Sequence, residues 1–370
     1  RRVTRCSSSF FSTWTRSKTE YLSQSETYSA KKQRYEDILK QLTEAESVIK
    51  IHLNKEKITL EDVKAIDGSD STLTGSKNTL LKLYTIGMSE ARLNRILNYY
   101  GSYLDSYLNL DFSPRAEIIK DDPYNVSDNK YGNNDVKGED PGHGTMVSGI
   151  IGAIRNNAFG INGVADSVKI MAIRTVPNGD EYDKDVALSI RYAVDNGANI
   201  INMSFGKGFS PHKEVVDKAV KYAESKGVLL IHAAGNDGDD LDQESNFPNK
   251  TYGSGGESQT WLEIGASSWG ADENFVGSFS NYGKKSVDLF APGVQIYSTT
   301  PNDTYENLLG TSMAAPATTG VAAILNAVGG GEAVLQALRE IGDPADGDGA
   351  AIFGGLLLRV EEDFGACFDE

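Results

Sequence analysis

Apolar residues recur at three- and four-residue spacing through the first third of the chain: Tyr35, Ile38, Leu39 and Leu42, then Val48 and Ile51. The same spacing returns in Leu80, Leu81, Leu83 and Tyr84, and in Leu93, Ile96, Leu97 and Tyr100. That period gathers apolar side chains on one helical face, so residues 21–110 are expected to form an accessory helical region. Thr59-Leu60-Glu61-Asp62 reads as a helix start, with a threonine cap and an acidic first turn. From about residue 143 the pattern changes. Helical spacing over residues 143–154, 184–194, 213–225 and 311–328 alternates with short strand-like runs at 168–176, 199–205, 228–234, 261–266 and 287–290. Strands separated by helices of this length predict an α/β fold with a parallel sheet covered on both faces. Such sheets open their sites beyond the carboxyl ends of their strands, so the chemistry is sought just after each strand.

Composition narrows the class. The 370 residues exceed what one ordinary domain needs, which suggests a large domain with an appendage. A net charge of −16 argues against a partner bound through nucleic-acid phosphates. No apolar run approaches the roughly 20 residues of a membrane-spanning helix. Cys6 and Cys367 lie at opposite ends, so neither a disulfide framework nor a paired-cysteine metal knuckle is expected. Charge also marks boundaries. Residues 1–20 carry five basic side chains against one acidic, and residues 329–370 carry ten acidic, two basic and nine glycines. These are expected to be atypical tails flanking the helical region at 21–110 and an α/β domain at 111–328.

Three segments carry reactive side chains at strand ends or helix starts. Asp140-Pro141-Gly142-His143-Gly144-Thr145 opens a helix and places a histidine between glycines. His232-Ala233-Ala234-Gly235-Asn236-Asp237 ends an apolar run in Gly-Asn. Gly310-Thr311-Ser312-Met313-Ala314-Ala315-Pro316 puts a serine in the first turn of a helix of small residues. Each has an ordinary structural reading: a lone histidine, a turn, and a helix cap. Together they supply what acyl transfer needs: a base, an oxyanion donor and a nucleophilic hydroxyl.

On these motifs, with Val147-Ser148-Gly149, Asn202-Met203-Ser204-Phe205-Gly206 and Asp288-Leu289-Phe290-Ala291-Pro292-Gly293, residues 111–326 resemble a subtilisin-family serine protease (a subtilase of the S8 peptidases). Tyr131-Gly132-Asn133-Asn134-Asp135-Val136 and the helical region before it resemble a Bacteroidetes-type subgroup. The resemblance implies a three-layer subtilisin-like fold with a mostly parallel central sheet and an N-terminal helical insertion. It implies His143 as general base, Ser312 as nucleophile and Asn236 as side-chain oxyanion donor. Ser204, Phe205 and Gly206 would form the strand that pairs with substrate and one wall of the specificity pocket, and Ala233, Ala234 and Gly235 another wall. Protein or peptide substrates would bind as an extended strand. No cofactor is implied. Structural calcium is compatible with the family, although the acidic stretches 121–140 and 237–244 lack EF-hand spacing and read as solvated loops. The resemblance also implies an exported location, outside the cell or in its envelope.

One expected element has no match. The family carries its triad aspartate at the end of a buried strand, in an Asp-Ser-Gly or Asp-Thr-Gly setting, and neither tripeptide occurs in this chain. Val63-Lys64-Ala65-Ile66-Asp67-Gly68 is the nearest imitation, but Lys64 interrupts the apolar run and the residues before it read as helix. Asp111, Asp121, Asp122 and Asp135 follow no strand pattern. The expectation is that the chain begins after the missing strand, with residues 21–110 inserted between it and His143, and that the chain as given is inactive or weak. The alternative is a subtilase-like module that binds peptides, or is structural, without catalysis. A lipase-like hydrolase is disfavoured, because Ser312 sits in Gly-Thr-Ser-Met and not in Gly-x-Ser-x-Gly.

Overall fold

The computed structural model describes residues 8–67, 70–112, 114–138, 140–177, 179–270 and 274–329. Most of the stretch read as a C-terminal tail, and both cysteines, lie outside the described residues. The chain divides into two compact units, Arg1–Glu117 and Ile118–Glu370.

The first unit is helical: α1 (Ser8–Leu53), α2 (Leu60–Lys64), α3 (Ser71–Thr85) and α4 (Glu90–Ser102). Thr59 caps α2 in a reciprocal box with Asp62, and Asp70 and Ser89 cap the next two helices. Its core gathers Leu42, Ile49, Val63, Leu80 and Leu93; Leu42, Leu80 and Leu93 are positions of the expected helical period, whereas Ile51 is 79% exposed and Ile49 takes the buried place. The basic stretch before residue 21 enters α1, a helix of 46 residues.

The second unit is built on a parallel sheet in the order β1 (Ile200–Met203), β2 (Leu229–Ala233), β3 (Trp261–Ser267), β4 (Leu289–Pro292). Four helices accompany it: α5 (Gly142–Gly152), α6 (Asp183–Asp195), α7 (Lys213–Ser225) and α8 (Thr311–Gly329). Alternation along the strands divides the core in two. Leu229, Ile231 and Ala233 meet Ala314, Ala315 and Ala322 of α8, whereas Leu230 and Trp261 meet Val186, Ile190, Val216 and Val220 of α6 and α7. The result is the α/β three-layer arrangement with a parallel centre.

Two details depart from the sequence reading. Residues 168–176 form no strand. Their alternation is present, but Ile170, Met171 and Val176 are 46, 42 and 38% exposed, and alternation builds a strand only where a neighbour takes its backbone groups. An antiparallel hairpin, β5 (Ile296–Thr300) with β6 (Thr304–Leu308), follows the sheet and was not anticipated. It serves the site: the hydroxyls of Ser298 and Thr299 donate to the carbonyls of Met146 and Thr145 in α5. Gly149 allows this approach, since a Cβ there would collide with the Thr299 side chain.

The first turn of α6 is a polar junction. Asp183 accepts from Ser210, from the backbone N–H of His212 and from Lys207. Lys184 pairs with Asp121, both side chains 2% exposed, and lies over the ring of Tyr131, whose hydroxyl donates to Asp185. The start of the 121–140 stretch is therefore a buried anchor, not a solvated loop. Replacing Lys184 by Met takes the ammonium away from the buried Asp121 carboxylate. The variant should lose about 3–5 kcal/mol of stability in urea unfolding, most of it recovered when Asp121→Asn is added.

Candidate active site

The three motifs assemble around the ends of β1 and β2 and the starts of α5 and α8. Asn236 follows β2 after Ala234 and Gly235, and its Oδ1 accepts from the backbone N–H of Thr311 at 2.8 Å and from the Thr311 hydroxyl at 3.1 Å. A backbone N–H can only donate, so this contact fixes which end of the amide is oxygen and turns the Nδ2 donors away from Thr311. The Thr311 hydroxyl accepts in turn from the Gly235 N–H.

Ser312 is the second residue of α8 and half-buried. Its own N–H has no helical carbonyl to reach, because it lies in the first turn. Its carbonyl is also unusual. The residue four positions on is Pro316, which has no N–H to give, so the helical bond to Ser312 O cannot form. The Ser204 hydroxyl fills that place, donating to Ser312 O at 3.0 Å, and the Ser312 hydroxyl donates back to Ser204 O at 3.2 Å. Asn202 Nδ2 donates to Ser204 Oγ, and Thr319 holds the other end of that amide.

A pocket of about 230 Å³ opens beside Ser312 and Asn236. Phe205, Gly206, Ala233 and Gly235 line it, together with Leu241, Lys207, Asn246 and Thr311. Ser204 and Ala234, also assigned to its walls, adjoin the lining residues through the chain and through hydrogen bonds. Ser204 is bound to Ser312 as described, and Ala234 is fully buried, its carbonyl taking the amides of Asn246 and Asn281. Gly235 has φ +106°, and a Cβ would collide with the Asn281 amide, so the strand exit requires glycine.

His143 sits in the first turn of α5. Met146, three residues on, packs with Met313, the neighbour of Ser312, so histidine and serine open two helices that share a core. The residue is exposed, yet its ring is surrounded closely enough that lost hydration lowers its pKa, with Asp140 opposing the shift by its charge. Among the described residues none hydrogen-bonds the His143 ring. Asp67 follows α2 in the first unit, and Asp111, Asp122 and Asp135 are exposed.

Sequence reasoning missed Thr311 as more than a cap, and missed Asn281 altogether. Asn281 is 2% exposed; its Oδ1 accepts from the N–H groups of Asp237 and Asp239, while its own N–H donates to Gly235 O. It thus grips the chain on both sides of Asn236. The only sequence signal was an asparagine in a Ser-Asn-Tyr-Gly turn far along the chain. Two carboxylates of the acidic stretches are already engaged within the protein. Asp121 is committed to Lys184, and Asp242 to three backbone N–H groups of residues 284–286. Among the described residues no group of three His, Cys, Asp or Glu converges as a metal site.

With the geometry in place, known proteins can be compared. The model of the subtilase family, Peptidase_S8, matches residues 65–332, a span that includes Asp67. The chain is 37% identical over 237 residues to a thermophilic serine proteinase of Bacillus sp. (strain AK1), covering 63% of this chain and 53% of that protein. It is 39% identical over 200 residues to thermitase of Thermoactinomyces vulgaris, covering 54% and 66%. A solved cold-adapted subtilisin-like serine proteinase is 32% identical, covering 59% of this chain and 71% of that one, with a TM-score of 0.46. The chain spans about half to two thirds of the length of these first two relatives.

The two influences on His143 can be separated in solution. Its imidazole should titrate below the usual 6.5, and Asp140→Asn should lower the midpoint further by removing the opposing charge. NMR titration of the ring reads both; a midpoint above 6.5 in the parent chain would count against this environment.

Proposed function

The chain belongs to the subtilase family, and from that footing we propose that it carries the acyl-transfer machinery of a serine endopeptidase. The observation that supports this best is the paired fixing of Asn236 and Ser312: Thr311 takes the oxygen end of the amide, leaving its N–H donors for an oxyanion beside the Ser312 N–H. In the reaction His143 removes the Ser312 proton and the hydroxyl oxygen attacks a peptide carbonyl. The oxyanion is held by Asn236 Nδ2 and Ser312 N, with the N-terminal dipole of α8 favouring the charge. His143 then protonates the leaving amine, and water releases the acyl group. Substrate lies extended along residues 204–206, which leave β1 at the free edge of the sheet, with one side chain in the pocket behind Phe205 and Ala233. An exported or cell-envelope location goes with this reading.

The weak point is the third triad member. Asp140 reaches His143 only through its charge, and no carboxylate bonded to the ring would fix its tautomer. In subtilisin, loss of the acid alone costs about four orders of magnitude in turnover. The chain is therefore read as inactive or weak on its own. The non-catalytic module is favoured by one observation: the Ser312 hydroxyl rests on Ser204 O and not on histidine.

A fluorophosphonate probe separates the readings. Labelling at Ser312, abolished by Ser312→Ala and slowed by His143→Ala, is expected of the protease. Asn236→Ala should slow it by about 10²–10³-fold, the loss known for that donor in subtilisin. Casein hydrolysis should be barely detectable, and Asp67→Asn should change neither measurement. Absence of labelling favours the binding module, and full activity on casein overturns the reading of a missing acid.

A further inference from the structure

Asn236 stands just beyond the support of the sheet. Ala234 N still donates to Ile264 O of β3, and Gly235, at φ +106°, then turns the chain away. Asn236 itself is exposed, and among the described residues its backbone N–H and C=O make no hydrogen bond. Its neighbours must therefore hold it, and their polar groups have no strand to pair with. Asn281 takes four of these groups. Its Nδ2 donates to Ala234 O at 2.8 Å and its backbone N–H to Gly235 O at 2.9 Å. Its Oδ1 accepts from Asp237 N and Asp239 N, both at 3.0 Å. Backbone donors on one end and a carbonyl on the other fix the orientation of this amide too.

Asn281 is in turn fastened to the sheet. Both it and Ser280 are 2% exposed. The Ser280 hydroxyl accepts from Ala266 N in β3 and donates to Asn281 O, each at 2.9 Å. The loop around Asn236 is thus tied to an interior strand through two side chains. Thr311 holds the opposite side: its hydroxyl accepts from Gly235 N, and its N–H and hydroxyl both donate to Asn236 Oδ1. The two anchors do different work. Thr311 decides which way the Asn236 amide faces, whereas Asn281 holds the backbone from which that amide hangs.

We propose that Asn281 is a positioning residue for the oxyanion donor, setting Asn236 Nδ2 in its working place beside Ser312 N without touching the reacting atoms. The proposal rests on the acyl-transfer reading of Asn236 and Ser312. A donor aimed at developing charge helps only if it is already in place when the charge forms, and a misplacement of about 1 Å can cost about 10²-fold in rate. Thr311 alone cannot secure this, because it grips the tip of a side chain whose backbone would be left to move. Asn281 also stands at the back of the pocket. A role in receiving the substrate side chain therefore has to be told apart from positioning.

A double-mutant cycle on the full chain separates the two roles. Asn281→Ala should slow fluorophosphonate labelling of Ser312 by about 10–100-fold. In the Asn236→Ala background the same substitution should cost about twofold or less, because the donor it positions is gone. An equal loss in both backgrounds marks a substrate contact or a general structural role and overturns the proposal. An unchanged rate in Asn281→Ala overturns it as well. Hydrogen exchange at the Thr311 amide reads the same placement without Ser312 chemistry, since that N–H is spent on Asn236 Oδ1. It should exchange about tenfold faster in Asn281→Ala, with the amides of α7 unchanged. Protection at Thr311 equal to that of the parent overturns the proposal. If the parent does not label at all, the acyl-transfer reading fails, and the exchange measurement still decides whether Asn281 places Asn236. Asn281→Ser, whose single hydroxyl replaces both ends of the amide, takes the place of Asn281→Ala if that variant does not fold.

Discussion

Pro316, in the second turn of α8, withholds the N–H that would otherwise engage the carbonyl of Ser312, and the site is arranged about how that gap is filled. The Ser204 hydroxyl enters it, the Ser312 hydroxyl answers at Ser204 O, and the end of β1 is thereby clamped to the start of α8. Asn202 and Thr319 brace the same junction from behind. On the neighbouring strand, Thr311 does a parallel service for Asn236. A helix that had satisfied its own carbonyls would have had no reason to bind the sheet at this point.

The covered sheet supplies the rigid background for these bonds. Its two faces are sealed by α8 on one side and by α6 and α7 on the other, so polar groups can meet solvent only at strand ends. Alternation along β2 then decides which chemistry lies where. Ala233 belongs to the α8 side, whereas His232, one residue earlier, faces α6 and α7 and joins Glu263 and Trp261. Neighbouring residues of one strand thus face opposite sides of the sheet, one toward α8 and the other toward Glu263 and Trp261.

Much of this was legible in the chain itself. The helix over residues 213–225 and the strands around 200, 230 and 262 show their period plainly, because each buries a full face. The motifs around His143, Asn236 and Ser312 pointed to helix starts and a strand end, and those are where the side chains stand. What escaped was whatever depends on a distant partner. Residues 168–176 alternate like a strand, yet a ladder needs a neighbour that alternation cannot announce. Asn281 is 45 residues from Asn236 in sequence, and nothing local marks it as the brace of that loop. Asp121 looked like one acid among several in a polar stretch until Lys184 was seen to bury it. His232 stands within β2, and its bond to Glu263 on the next strand is a matter of tertiary packing.

Asp183, Lys184 and Asp185 occupy consecutive positions at the start of α6, yet each is fastened to a different part of the second unit. One holds the ammonium of Lys207 and the turn before α7; the other two hold the segment around residues 121–131. Three charged residues in a row would ordinarily be among the freest positions in a protein to vary. Here they form a knot tying separate loops, so a change at any one alters what its neighbours must hold. The tripeptide should tolerate substitution as poorly as a hydrophobic core, and surface-charge engineering of this protein would do well to leave it alone.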